Sequence, residues 1–207
     1  MRAFLRTATV FLALAAPFAG AEAQTPDPAE FAVAGPLGEK TLGDPNAPVT
    51  MVEYASLTCS HCGNFHNTTF AALKEKYIDT GKIHFILREF PLDPLALAAA
   101  MVARCGPEDD YFAIIDTMFT EQENWAYVEE PAPALLALVS PYGFTDESFG
   151  TCLKDETIVE GIVDVARRGQ AFGVSGTPAF FINGEKQDGA MTIERIDSIV
   201  EELAGGG

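Results

Sequence analysis

Apolar residues follow two rhythms along this chain: short β-branched runs, and longer stretches with apolar positions three or four apart. The run PVTMVEYAS, Pro48 to Ser56, is mostly apolar and bounded by the turn chemistry of DPNAP, which predicts a buried strand. Downstream, NFHNTTFAALKEKYIDTG places Phe65, Thr69, Leu73 and Tyr77 four apart, and Gly81 closes the segment. That is the spacing of an amphipathic helix. KIHFILREF, Lys82 to Phe90, predicts a second strand, so strand, helix and strand form a right-handed parallel unit. From Leu95 to about Phe172 the pattern is helical, broken only by Gly and Pro signals, and no strand-like run interrupts it. Strand character returns at PAFFING, and Asn183 with Gly184 predicts a hairpin turn into EKQDGA. In TIERIDSIVEEL, Ile193, Ile196, Ile199, Val200 and Leu203 mark a last helix, with Thr192 as its N-cap and Gly205 beyond its end. The order predicts an α/β sheet interrupted by an all-helical block.

The 207 residues give room for one ordinary domain with an insertion, and no internal repeat is visible. The first residues differ in kind. Arg2 and Arg6 precede an apolar run from Thr7 to Phe18, and Ala21, Glu22 and Ala23 form an A-x-A signature before Gln24. These features predict a secretory signal peptide over 1–23, whose apolar run is too short to span a bilayer. QTPDPAEFAVAGPLG, about 24–38, reads as a linker. Export would place the protein where thiols are usually paired. Net charge is −17, and removing the leader leaves 11 basic against 29 acidic residues, or −18. Such a surface repels nucleic acid and anionic lipid.

Four cysteines follow the leader: Cys59, Cys62, Cys105 and Cys152. A zinc site could use all four, but Cys105 and Cys152 lie far apart without a paired half-site. A purely structural link between Cys59 and Cys62 would close too small a ring to constrain the unfolded chain much. Redox chemistry suits the pair better. Cys59 falls where a strand ends and a helix begins, so its sulfur meets unpaired N–H groups and the positive end of the helix dipole. A protonated His61 would add favourable charge between the sulfurs, and Cys62 sits one turn inward as the resolving thiol. A low thiol pKa stabilises the reduced form and makes the disulfide oxidising. Thr177 precedes Pro178 at the entry to a strand, where a cis bond would make a tight turn and offer the preceding backbone to an extended substrate. Glu53 interrupts an apolar strand; buried, it would exchange a proton with the deeper sulfur, whereas strict alternation would turn it to solvent.

The motifs EYASLTCSHC, REFPLDP and GVSGTPAFFINGE, in that order, resemble those of the DsbA-like thiol:disulfide oxidoreductases of bacterial envelopes, from about Gly43 to Leu203. The resemblance implies a thioredoxin-like fold with a helical insertion: 39–92 and 157–204 as the two parts of the thioredoxin-like domain, and 93–156 as the insertion. It implies Cys59 as the exposed nucleophile, Cys62 as its buried partner, Pro178 cis and Glu53 as the acid beneath the site, with Ser60, His61 and Thr177 completing the candidate catalytic set. Three positions depart from the family pattern. Ser60 replaces a proline common between the cysteines, His66 stands where some members carry an acid, and Thr177 is a residue also found in isomerase relatives. With export, Cys105 and Cys152 are expected to form a structural disulfide, contributing roughly 4 kcal/mol on the loop-entropy estimate; two free buried thiols are the alternative.

The leading expectation is a monomeric periplasmic oxidase that gives its disulfide to folding exported proteins and is reoxidised by a quinone-linked membrane protein, with no cofactor or metal of its own. An isomerase or reductase of the same fold is the alternative. A copper chaperone using Cys59, Cys62 and His66 would need a third soft ligand nearby, and none is evident. A binding module without redox activity would show both cysteines inert to glutathione.

Overall fold

The computed structural model describes residues 28–189 and 191–205. The expected signal peptide lies outside the described residues. Five strands form one mixed sheet in the order β1-β3-β2-β4-β5. β2 (Val49–Ala55) and β3 (Ile83–Glu89) run parallel at its centre, as the strand, helix, strand pattern requires. β1 (Lys40–Leu42) pairs antiparallel with β3 on one side; β4 (Ala179–Ile182) and β5 (Glu185–Gln187) extend the other side as an antiparallel hairpin. Asn183 at φ 49° and Gly184 at φ 85° turn that hairpin, the left-handed pair the Asn-Gly signal calls for.

Both faces of β2 are covered, which explains its nearly unbroken apolar run. Met51 and Ala55 join the large core with Phe85, Leu87 and Phe180, while Val52 and Tyr54 join a smaller one with Phe31, Ile86 and Phe181. The connecting helix is one continuous rod: α2 (Ser60–Phe65) and α3 (Ala71–Leu73), joined and extended by π-wound turns at His66–Phe70 and Lys74–Ile78. Six α-helices lie between β3 and β4: α4 (Pro94–Cys105), α5 (Tyr111–Thr120), α6 (Gln122–Trp125), α7 (Pro131–Val139), α8 (Asp146–Cys152) and α9 (Glu156–Ala171). α9 returns to pack on α4 and β3. Cys105 and Cys152, the last residues of α4 and α8, are joined by a disulfide with their Cα atoms 6.0 Å apart. No helix among the described residues is long and apolar enough to cross a membrane.

Two local expectations need correction, and one short strand leaves no signal in the sequence. The stretch expected as a linker contains α1 (Pro28–Phe31), which buries Phe31 against Phe181 and Phe172, at ring-centroid distances of 4.7 and 5.3 Å. The partners that hold it, including Arg88 on the Phe31 carbonyl and Arg168 on that of Ala34, lie far away in sequence and leave no local pattern. β1 went unpredicted because three residues are too few for alternation to show. The last helix, α10 (Ile193–Gly205), includes Gly205 rather than stopping before it, while the Thr192 hydroxyl accepts from Arg195 N at 3.4 Å, the expected cap.

Candidate active site

β2 ends at Ala55 and the chain turns through Ser56, Leu57 and Thr58 into α2, with Cys59 as the extended N-cap residue (φ −81°, ψ 117°). This backbone leaves the Cys59 carbonyl as first acceptor of the helix, bonded by Gly63 N at 3.0 Å, and turns the N–H groups of His61 and Cys62 toward its sulfur. Cys59 and Cys62 are free thiols, the first half-buried and the second fully buried.

Their environments pull the two sulfurs apart. The Cys59 thiol is lowered from 9.0 to about 5, first because the Cys62 thiol donates to it, against a desolvation that opposes the change, and then through Thr177 and the two N–H groups. Cys62 is pushed well above the ordinary thiol range, chiefly by burial, then by its hydrogen bond to Cys59 and the charge of Glu53. It keeps its proton and spends it on the neighbouring thiolate.

Across from the pair, the Thr177–Pro178 bond is cis. Thr177 faces the Cys59 sulfur with two groups: its carbonyl, which accepts from the thiol at 3.2 Å, and its hydroxyl, which has no other partner and can donate to the thiolate. A groove of about 360 Å³ opens beside them between α2 and the segment before α10, lined by His61, Phe65, Thr68, Pro178, Phe180 and Met191 among others. Ser60 and His61 are exposed on the first turn. His61 therefore serves the sulfur through its backbone N–H, while its ring lines the groove instead of sitting between the thiols.

Glu53 is completely buried, which settles the alternation question, and its charge acts on Cys62. Its Oε2 lies 3.1 Å from Nε2 of His66, while Oε1 has no partner. His66, a departure from the family pattern and the histidine of the copper-chaperone alternative, is buried too and stacks on Phe119 with ring centroids 4.1 Å apart. The structure thus gathers Cys59, Cys62, Glu53, Thr177 and Pro178, leaves Ser60 and His61 on the rim, and places Cys105 and Cys152 at helix ends as a separate cross-link. Among the described residues no group of three metal-ligating side chains comes together.

Sequence reasoning missed a set of polar contacts around the turn before Cys59. Gln122 is buried, and its Nε2 donates to the carbonyls of Leu57 (2.8 Å) and Cys59 (3.1 Å). The Tyr127 hydroxyl donates to the Thr58 carbonyl at 2.7 Å, and the Thr58 hydroxyl donates to Asp93 at 2.5 Å, the residue whose other carboxylate oxygen caps α4. Nothing local in EQENWAY marks these roles, because the partners are backbone atoms some 65 residues away.

Comparison with known proteins agrees with this geometry. The family model described as Thioredoxin matches residues 37–202. A Rickettsia typhi protein provisionally named a protein-disulfide oxidoreductase is 34% identical over 167 residues, covering 79% of this chain and 61% of that protein. A Rickettsia conorii protein of the same name gives 34% over 169 residues, 79% and 60%. The chain thus spans about three fifths of the length of these curated relatives. The crystal structure of Wolbachia pipientis alpha-DsbA1 superposes with a TM-score of 0.77 at 34% identity, covering 86% of this chain and 96% of that one. BdbD from Bacillus subtilis, at 19% identity and a TM-score of 0.71, shares the fold. By family match, by identity to relatives and by structure, the chain belongs to the DsbA-like thiol:disulfide oxidoreductases, thioredoxin-fold proteins with an inserted helical domain.

Proposed function

We propose that this protein is a disulfide donor: an exported, monomeric dithiol oxidase that passes the Cys59–Cys62 disulfide to folding proteins in the periplasm. The observation that carries the reading is the split between the two thiols, Cys59 held down to about 5 and Cys62 driven far up. A stabilised Cys59 thiolate favours the reduced enzyme and so makes its disulfide oxidising.

The steps follow from the positions of the sulfurs. A substrate thiolate attacks Sγ of Cys59, the sulfur within reach of solvent, and the Cys59–Cys62 bond breaks. Its electron pair leaves on Cys62, which takes up a proton, as its burial and the Glu53 charge demand. A second substrate thiolate then attacks the substrate sulfur of the mixed disulfide and displaces Cys59 as a thiolate that needs no proton at neutral pH. The substrate has lost two electrons and the enzyme has gained them. The groove lined by Thr177, Pro178 and Phe180 is where an extended substrate segment would lie, beside the Thr177 carbonyl that faces the Cys59 sulfur. Return to the oxidised state requires an electron acceptor, a role that we assign, on the family resemblance, to a quinone-linked membrane protein.

The test is equilibration of the purified protein with glutathione redox buffers, read by thiol trapping. A potential well above that of cytosolic reductants supports the donor; a potential near theirs transfers the assignment to the isomerase or reductase alternative.

A further inference from the structure

The carbonyls of Leu57, Thr58 and Cys59 are consecutive, and side chains of one short segment hold all three: Gln122 takes the first and third, Tyr127 the second. We infer that the segment 122–127 is a clamp that positions the Cys59 turn, so that Gln122 and Tyr127 are positioning residues for the attacking sulfur. The inference rests on Cys59 being the attacking thiol proposed above.

The argument is electrostatic and geometric. A thiolate at an N-cap is stabilised by N–H groups aimed at it and destabilised by any carbonyl oxygen that swings toward it. The turn preceding Cys59 lies outside α2, so no helix of its own fixes the Leu57 and Thr58 oxygens, and only Cys59 O belongs to the first turn of α2. Each instead accepts from a donor supplied by the helical region, and Cys59 O takes two, from Gln122 and Gly63. Gln122 is buried, so its amide does not exchange these bonds for water.

The clamp also explains Gly63. A Cβ built at that position would stand 2.6 Å from Gln122 Oε1, so a glycine must follow Cys62 for the amide to reach the turn. The titratable groups around the turn are Cys62 and His61 on α2, Glu53 on β2, Asp93 before α4, and Glu123 and Tyr127 on and after α6. Replacing Gln122 by Met alters the charge of none of them, and Tyr127 stays neutral because burial, Glu123 and the two thiols raise its pKa.

Three variants test the clamp: Gln122→Met, which keeps size and removes the donor; Tyr127→Phe, which removes one hydroxyl from a half-exposed ring; and Gly63→Ala, whose methyl displaces the amide while Gln122 itself is kept. The readouts are the pH midpoint of Cys59 alkylation, the glutathione equilibrium, and the melting temperatures of the reduced and oxidised forms. Gln122→Met and Gly63→Ala are expected to raise the midpoint and shift the equilibrium toward the disulfide by about threefold to tenfold, the scale of one net hydrogen bond. Gly63→Ala does so although alanine is the better helix former. Tyr127→Phe shifts both readouts in the same direction by less. In each variant the reduced form loses more stability than the oxidised one. If the midpoint and equilibrium stay within twofold of wild type while both forms melt equally lower, the segment is a structural support only and the inference falls. A wild-type protein that fails to oxidise glutathione overturns the donor reading, yet leaves the alkylation midpoints of the variants to decide the clamp.

Discussion

Cys59 and Cys62 are separated by one turn of helix, yet one thiol is held near 5 and the other far above its ordinary range. Because the Cys59 pKa is depressed on folding, its contribution to the stability of the reduced form is complete above 9.0, the unfolded value, and is lost as pH falls through about 5. Cys62 has the opposite sign and penalises the reduced fold only as pH approaches the ordinary thiol value and passes it. The disulfide form carries neither effect. The melting temperature of the reduced protein, measured against that of the oxidised protein, is therefore expected to climb steadily from pH 5 to pH 8 and to level off below about 5. Calorimetry of both forms across this range checks it, and a difference independent of pH would remove the thiolate as its source. Cys59 alkylation should follow the same midpoint while Cys62 stays silent. The C-x-x-C spacing and the Thr-Pro pair made these positions legible in the sequence because they mark backbone features, a helix start and a strand entry. His66, Gln122 and Tyr127 act through distant partners, so only the fold could reveal them.

At the scale of elements, β3 carries a buried cation that ties four pieces of chain together. Arg88 donates to the Tyr54 hydroxyl on β2 (3.0 Å), to the Phe31 carbonyl on α1 (2.8 Å) and to Glu39 just before β1 (2.6 Å), and its guanidinium lies 4.8 Å from the Phe31 ring centre. Glu39 is itself mostly buried, so losing Arg88 strands a carboxylate, a phenol hydroxyl and a carbonyl at once. Arg88→Met should cost about 3 kcal/mol, the range for breaking a buried pair, and Arg88→Met with Glu39→Gln should recover part of that loss because no charge is left behind. Urea unfolding of the single and double variants measures both. A loss below about 1 kcal/mol would mean that water reaches the stranded groups. This network also shows where the sequence pattern stops. β2, β3 and the hairpin announced themselves because a few neighbouring residues carry their signal. α1 and β1 are held by Arg88 and by pairing with β3, long-range partners that hydrophobic rhythm over three or four residues does not encode.

At the scale of the whole molecule, two features act over long distances. The Cys105–Cys152 disulfide closes a ring across 47 residues of the helical region, and by restricting the unfolded chain it should contribute about 2 to 4 kcal/mol. Replacing both cysteines by alanine is expected to lower the unfolding free energy from urea titration by that amount, with the slope showing whether the unfolded ensemble expands. The second feature is charge. The chain carries −17 overall, and acids also gather near the nucleophile: the Tyr127 pKa is raised by burial first, then by Glu123, Cys59 and Asp93. A field of one sign over the surface draws cationic partners toward the site and slows anionic ones, an effect on encounter rate more than on the exchange itself. Two dithiol peptides of equal length, one with lysines and one with glutamates flanking the same cysteines, isolate it. The basic peptide is expected to be oxidised about tenfold faster at low ionic strength. The two rates should converge as added salt shortens the screening length to about 3 Å at 1 M. Stopped-flow measurement at several salt concentrations gives both slopes. If the preference persists unchanged at high salt, it comes from contacts in the groove beside Pro178, and the acidic surface serves solubility alone.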